Sequence, residues 1–158
     1  MKKSIYTVLL LVAVAITCQA QKKDWAGCSR YEQANADMTK APAVVFMGNS
    51  ITEGWAAKHP EFFSANNYAG RGISGQVSSQ MLCRFRDDVI DLHPKAVVIL
   101  AGTNDIALNN GPISVEHIFR NIVSMVELSQ ANKIKAVLCS VLPVKKYGWR
   151  KEVDPVQP

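Results

Sequence analysis

Ala43-Val44-Val45-Phe46-Met47-Gly48-Asn49-Ser50 and Ala96-Val97-Val98-Ile99-Leu100-Ala101-Gly102-Thr103-Asn104-Asp105 are the stretches that decide the fold. Each is a short, unbroken apolar run closed by a glycine, the pattern of a strand buried on both faces of a parallel sheet. A third such run covers 134–142 and is stopped by Pro143, and a shorter strand is expected near 67–69. Between them lie two helical patterns. In 77–90, Val77, Met81, Leu82, Phe85, Val89 and Ile90 recur at helical spacing. After Ser114, a natural N-cap, Val115, Ile118, Phe119, Ile122, Met125 and Val126 form one apolar stripe. Strands alternating with helices predict an α/β fold, a parallel sheet flanked by helices.

The 158 residues, 48% hydrophobic and 20% charged, suit one globular domain. Residues 1–20 read as a signal peptide: Lys2 and Lys3 precede an apolar run from Ile5 to Ile16, and Cys18-Gln19-Ala20 offers a cleavage site. The domain proper is then 21–158, exported to a periplasm or secreted. Lipoprotein anchoring through Cys18 is the weaker reading, because Ala15-Ile16-Thr17 matches a lipobox poorly. Loss of the two leader lysines and no acid takes the net charge from +5 to +3. That charge is mild and scattered, so nucleic acid is not an expected partner. Cys28, Cys83 and Cys139 would remain, enough for one internal disulfide at most. No cysteine or histidine spacing suits zinc, and no metal or organic cofactor is expected.

In an open α/β sheet, ligands bind where loops leave the carboxyl ends of the strands. Three glycine-marked loops do so here: Gly48-Asn49-Ser50-Ile51-Thr52, Gly70-Arg71-Gly72-Ile73-Ser74-Gly75 and Gly102-Thr103-Asn104-Asp105. They offer a hydroxyl, an exposed backbone amide and a side-chain amide, which are the groups acyl transfer needs. In this order the three segments resemble the first three conserved blocks of the SGNH branch of the GDSL hydrolases, within residues 43–105. The resemblance implies a flavodoxin-like SGNH hydrolase fold and ester hydrolysis without a cofactor. It implies Ser50 as nucleophile, Gly72 as a backbone oxyanion donor and Asn104 as a side-chain oxyanion donor, with the Ser50 amide as a third. Acetyl or short-chain acyl esters, some carried on carbohydrate, are the substrates it suggests.

The sequence departs from that family pattern at three places. Asn49 stands where an aspartate is usual, and Gly70 where the second block usually opens with asparagine. After Asp105 there is no Asp-x-x-His, so the chain reads as a fold that stops before a final strand, a final helix and the catalytic pair, with turnover impaired. His59, His93 and His117 are the only histidines, and their positions suit a surface turn, the amino end of a strand and a helix start. Three bland readings compete: Ser50 as a helix N-cap, Asn104 as a turn residue, and Gly70 to Gly75 as a dinucleotide fingerprint. The polar residues before Gly70, and the lack of an acid after the next strand, disfavour the last. A function from another class is a non-catalytic module that binds acylated glycans.

Overall fold

A computed structural model describes residues 24–153, so the expected leader lies outside the described residues. A 3-10 turn, Cys28–Tyr31, leads into α1 (Glu32–Ala36). Then follow β1 (Val44–Gly48), α2 (Ser50–Lys58), α3 (Pro60–Ala65) and β2 (Tyr68–Gly72). The middle of the chain forms α4 (Ser78–Cys83), α5 (Phe85–Asp88), a 3-10 turn (Ile90–Leu92) and β3 (Ala96–Ile99). It closes with α6 (Thr103–Ile106), α7 (Val115–Ala131) and β4 (Lys135–Leu138). The four strands make one parallel sheet in the order β2-β1-β3-β4.

Alternation along β1 assigns the two faces. Val45 and Met47 are buried on one face with Ala69, Val97 and Ile99, against Met81, Phe85, Val89 and Met125 of the helices. Burying each such side chain stabilises the fold by roughly 1.5–3 kcal/mol. The opposite face carries Phe46, whose ring packs edge-on to Trp55 at 5.2 Å and to Phe63 at 5.5 Å. This aromatic cluster seats α2 and α3 on the sheet. Ser114 caps α7 by accepting the His117 N–H, as expected.

Four expectations need correction. The pattern at 77–90 is not one helix, because it breaks at Arg84, whose side chain is drawn beneath the sheet edge. β2 runs on through Gly70 and Gly72, which were expected in a loop. Asn104, expected in the loop after β3, lies in the short helix α6. Phe119, 65% exposed, and Val115 stand outside the core. The seventeen residues of α7 extend for about 26 Å, whereas four-residue β4 spans only about 13 Å. The first turns of the helix therefore overhang the sheet. In the tail, Tyr147 is buried and Trp149 exposed.

The strand order also places a switch point. From β1 the chain crosses to β2 on one side, and from β3 to β4 on the other. The crevice favoured for ligands in such sheets lies where these connections diverge, beyond the carboxyl ends of β1 and β3.

Candidate active site

Ser50 opens α2 directly after β1, exposed at this crevice, where the unsatisfied amides of the first helical turn favour negative charge. Asn49 sets the turn: its Oδ1 accepts the Ile51 N–H at 3.0 Å, and Asn49 is 1% exposed. The Asn49 Nδ2 is buried and has no partner among the described residues.

Gly72 ends β2 in register with Gly48 and lies flat against the first turn of α2. A Cβ there would come within 2.2 Å of Glu53 N and 2.7 Å of Asn49 O, so no side chain fits without moving backbone. Side alternation in the parallel ladder has a second effect. Ile73 N donates to Gly48 O at 3.1 Å, so alternate residues of β2 turn their amides toward β1 and the Gly72 N–H faces away from that ladder. The Tyr31 hydroxyl donates to Gly72 O, fixing the far side of the same residue.

Asn104, 3% exposed, donates from Nδ2 to Gln76 O at 2.9 Å, which ties the third loop to the second. One of its two amide hydrogens is used in this way. The adjacent Asp105 anchors the loop from below: its carboxylate accepts the Ser78 N–H at 2.9 Å and the Ser78 hydroxyl at 2.5 Å. Burial pushes the Asp105 carboxyl up from the ordinary aspartate range, while the Ser78 bonds pull the other way. The second loop is held to α2 by Glu53, which accepts the Ser74 N–H at 2.9 Å and the Ser74 hydroxyl at 2.5 Å. These bonds, with Arg30 at 3.2 Å, hold its carboxyl below the usual range.

Beneath the first and second loops lies Arg84, a residue that sequence reasoning missed. Its fully buried guanidinium donates to Gln76 Oε1 at 2.7 Å, Asp88 Oδ2 at 2.6 Å, Arg71 O at 2.9 Å and Gly48 O at 3.3 Å. The Arg71 carbonyl belongs to the same trans peptide as the Gly72 N–H, so holding that oxygen aims the hydrogen the opposite way. A signal was present in the sequence: Arg84 and Asp88 are an i, i+4 pair within an apolar helical stripe.

The structure therefore brings the loops of Ser50, Gly72 and Asn104 to one rim. The histidines lie elsewhere. His59 caps the far end of α2 and pairs with Glu61 at 3.5 Å, and His93 precedes β3 at the amino edge. His117 Nδ1 lies 3.0 Å from Ser114 Oγ at the exposed start of α7. A depression of about 690 Å³, lined by Asp24, Cys28, Glu32, Asn35, Asp87 and Asp91 among others, contains none of the three rim residues.

A parallel four-stranded sheet flanked by helices, with a serine opening the helix after β1, has the α/β fold of the flavodoxin-like hydrolases. The chain belongs to the GDSL-like lipase/acylhydrolase family, whose sequence model matches residues 46–156. It is 53% identical to a GDSL-like lipase of Bacteroides thetaiotaomicron, with a TM-score of 0.78 over 82% of this chain and 65% of that one. It is also 53% identical to an inferred acylhydrolase of Bacteroides fragilis, with a TM-score of 0.81 over 85% of this chain and 67% of that one. An uncharacterized lipoprotein of Bacillus subtilis, YqeF, is 37% identical over 76 residues, 46% of this chain and 31% of the lipoprotein. The chain thus spans about two thirds of the Bacteroides structures and less than a third of the lipoprotein. Among the described residues, no helix is long and apolar enough to cross a membrane.

Proposed function

We propose that the chain carries the acylation site of an exported serine ester hydrolase, built on a domain covering residues 21–158. Ser50 Oγ attacks the ester carbonyl carbon, a base takes the hydroxyl proton, and the carbonyl oxygen becomes an oxyanion held by the Ser50 N–H, the Gly72 N–H and Asn104 Nδ2. Collapse breaks the bond to the alcohol, which leaves with the proton, and water then hydrolyses the acyl-serine. Donors aimed in advance at the developing charge supply most of the rate, each contributing about 10²–10³-fold. Acetyl and short-chain acyl esters, with carbohydrate among their carriers, are the proposed substrates.

The observation that carries this reading is the contact of Gly72 with the first turn of α2, together with the bond from Asn104 to the neighbouring Gln76. The pairing of His59 with Glu61 and of His117 with Ser114, neither with Ser50, supports supplying a base in the assay. It also motivates the competing reading, a module that binds acylated glycans without cleaving them. Incubation with a fluorophosphonate, followed by peptide mass mapping, separates the two. The expected adduct sits on Ser50, is lost in Ser50→Ala and forms faster with added imidazole. Equal labelling of the Ser50→Ala variant, or no adduct at Ser50 with imidazole present, refutes the hydrolase reading.

A further inference from the structure

Two tryptophans from opposite ends of the described chain are fastened to consecutive residues of the segment between α6 and α7, which continues the third loop. Trp25 Nε1 donates to Asn110 Oδ1 at 3.2 Å, and Trp149 Nε1 donates to Asn109 Oδ1 at 3.0 Å. Asn109 in turn donates from Nδ2 to Gly75 O at 3.3 Å, so both indoles flank the seam where the second and third loops meet. The backbone of Trp25 is held as well, by Gln80 Nε2 donating to Trp25 O at 2.7 Å, and the Trp149 ring packs on buried Tyr147 with centroids 5.3 Å apart. Arg150 fixes the tail to the same loop by donating to Ala107 O at 3.2 Å and to Leu108 O.

Despite this anchoring, Trp25 is 45% exposed and Trp149 is 62% exposed. Anchored aromatic rings left open to water are a feature of binding surfaces, since they offer large rigid area at little further entropic cost. With each indole N–H already engaged, what remains for a partner is the ring face. Beside Trp25 lies a depression of about 240 Å³, lined by Ile73, Ser74, Gly75, Gln76 and Gln80 among others. Its lining combines one aromatic plane with the Ser74 hydroxyl, which donates to Glu53 and can still accept, and the Gln80 amide, whose Nε2 donates to Trp25 O and keeps a second hydrogen. A pyranose has the matching chemistry, an apolar face of C–H groups bordered by hydroxyls. A long acyl chain would call for a closed apolar channel, and this lining does not provide one.

We propose that Trp25 and Trp149 form a carbohydrate platform beside the Ser50 rim, which takes the sugar carrier of an O-acyl group. The proposal rests on the ester-hydrolase reading for its orientation, but its binding function does not require Ser50 to react.

Isothermal titration of the full chain, in the Ser50→Ala form, with partially O-acetylated cellotetraose tests it. Trp25→Ala and Trp149→Ala should each weaken binding about tenfold, equivalent to about 1.4 kcal/mol. Trp149→Phe should retain most of the affinity, and Trp55→Phe should change nothing. With 5-fluorotryptophan incorporated, the 19F resonances of Trp25 and Trp149 should shift on adding the sugar while that of Trp55 stays in place. The Asn109→Ala variant frees the Trp149 ring without removing it and should also weaken binding. Thermal melting of each variant identifies any that fail to fold. Absence of binding, affinity unchanged in both alanine variants, or indole shifts produced by lysophosphatidylcholine micelles and not by the sugar overturns the proposal. Tryptophan-dependent binding without a Ser50 adduct sinks the hydrolase reading alone. A Ser50 adduct with tryptophan-independent binding sinks the platform alone.

Discussion

Replacing Arg84 by methionine removes a guanidinium that makes four hydrogen bonds in a site closed to water. The Asp88 side chain, also fully buried, would keep only the Asn35 Nδ2 contact at 2.8 Å. An uncompensated buried charge of this kind costs about 3–5 kcal/mol, a third or more of the roughly 5–15 kcal/mol that holds a typical domain together. The paired change Arg84→Met/Asp88→Leu removes both charges and should regain most of that loss. Gly48 O would keep the Ile73 N–H, but Arg71 O would still lose the guanidinium that holds it, so fluorophosphonate labelling of Ser50 should stay slow in the double variant even where stability returns. Urea unfolding followed by circular dichroism at neutral pH measures the first effect, and labelling kinetics the second. A single variant within about 1 kcal/mol of the parent, the size of an exposed ion pair, would refute the reasoning. So would a double variant no more stable than the single.

Three further outcomes follow from the same geometry. Asn104→Ala should slow acylation of Ser50 about 10²-fold and, by leaving the buried Gln76 O without its donor, lower the melting temperature, measured by labelling rate and calorimetry. Gly72→Ala places a methyl group 2.2 Å from Glu53 N and should both destabilise the fold and abolish labelling. The two shifted carboxyls act in opposite senses with pH. Glu53, held low, stabilises the fold above its ordinary value of 4.5, and that contribution disappears as pH falls through its lower folded value. Asp105, pushed up, favours the fold below its ordinary value of 3.8, and this contribution is lost as pH rises through its higher folded value. Unfolding titrations of Glu53→Gln and Asp105→Asn should therefore remove pH-dependent terms of opposite sign.

The parts of the fold legible in the sequence were those whose partners are generic. β1 and β3 announce themselves as apolar runs because both faces of a central parallel strand are buried, and Ser114 announces α7 because a cap is a local bond. β2 was legible only in part. It carries glycine at position 70 because α2 presses so close that a Cβ would lie 2.5 Å from the Ala56 Cβ, and a strand built for close approach has no apolar signature. The break at Arg84 was hidden for a different reason. Its carbonyl partners lie at positions 48 and 71, far away in sequence, so the Arg84/Asp88 pair within the apolar stripe was the one local sign and did not say where the guanidinium turns. Ser50, Gly72 and Asn104 could be singled out from loop position and resemblance. The groups that hold them, Gln76, Ser78, Asp105 and Tyr31, act through tertiary contacts that no spacing encodes.

The measurement closest to the central claim is a crystal structure of the Ser50 phosphonate adduct. The account predicts the phosphoryl oxygen at about 2.7–3.1 Å from the Ser50 N, the Gly72 N and Asn104 Nδ2 together. A phosphoryl oxygen turned to solvent, with Gly72 and Asn104 making no contact to it, would contradict the account.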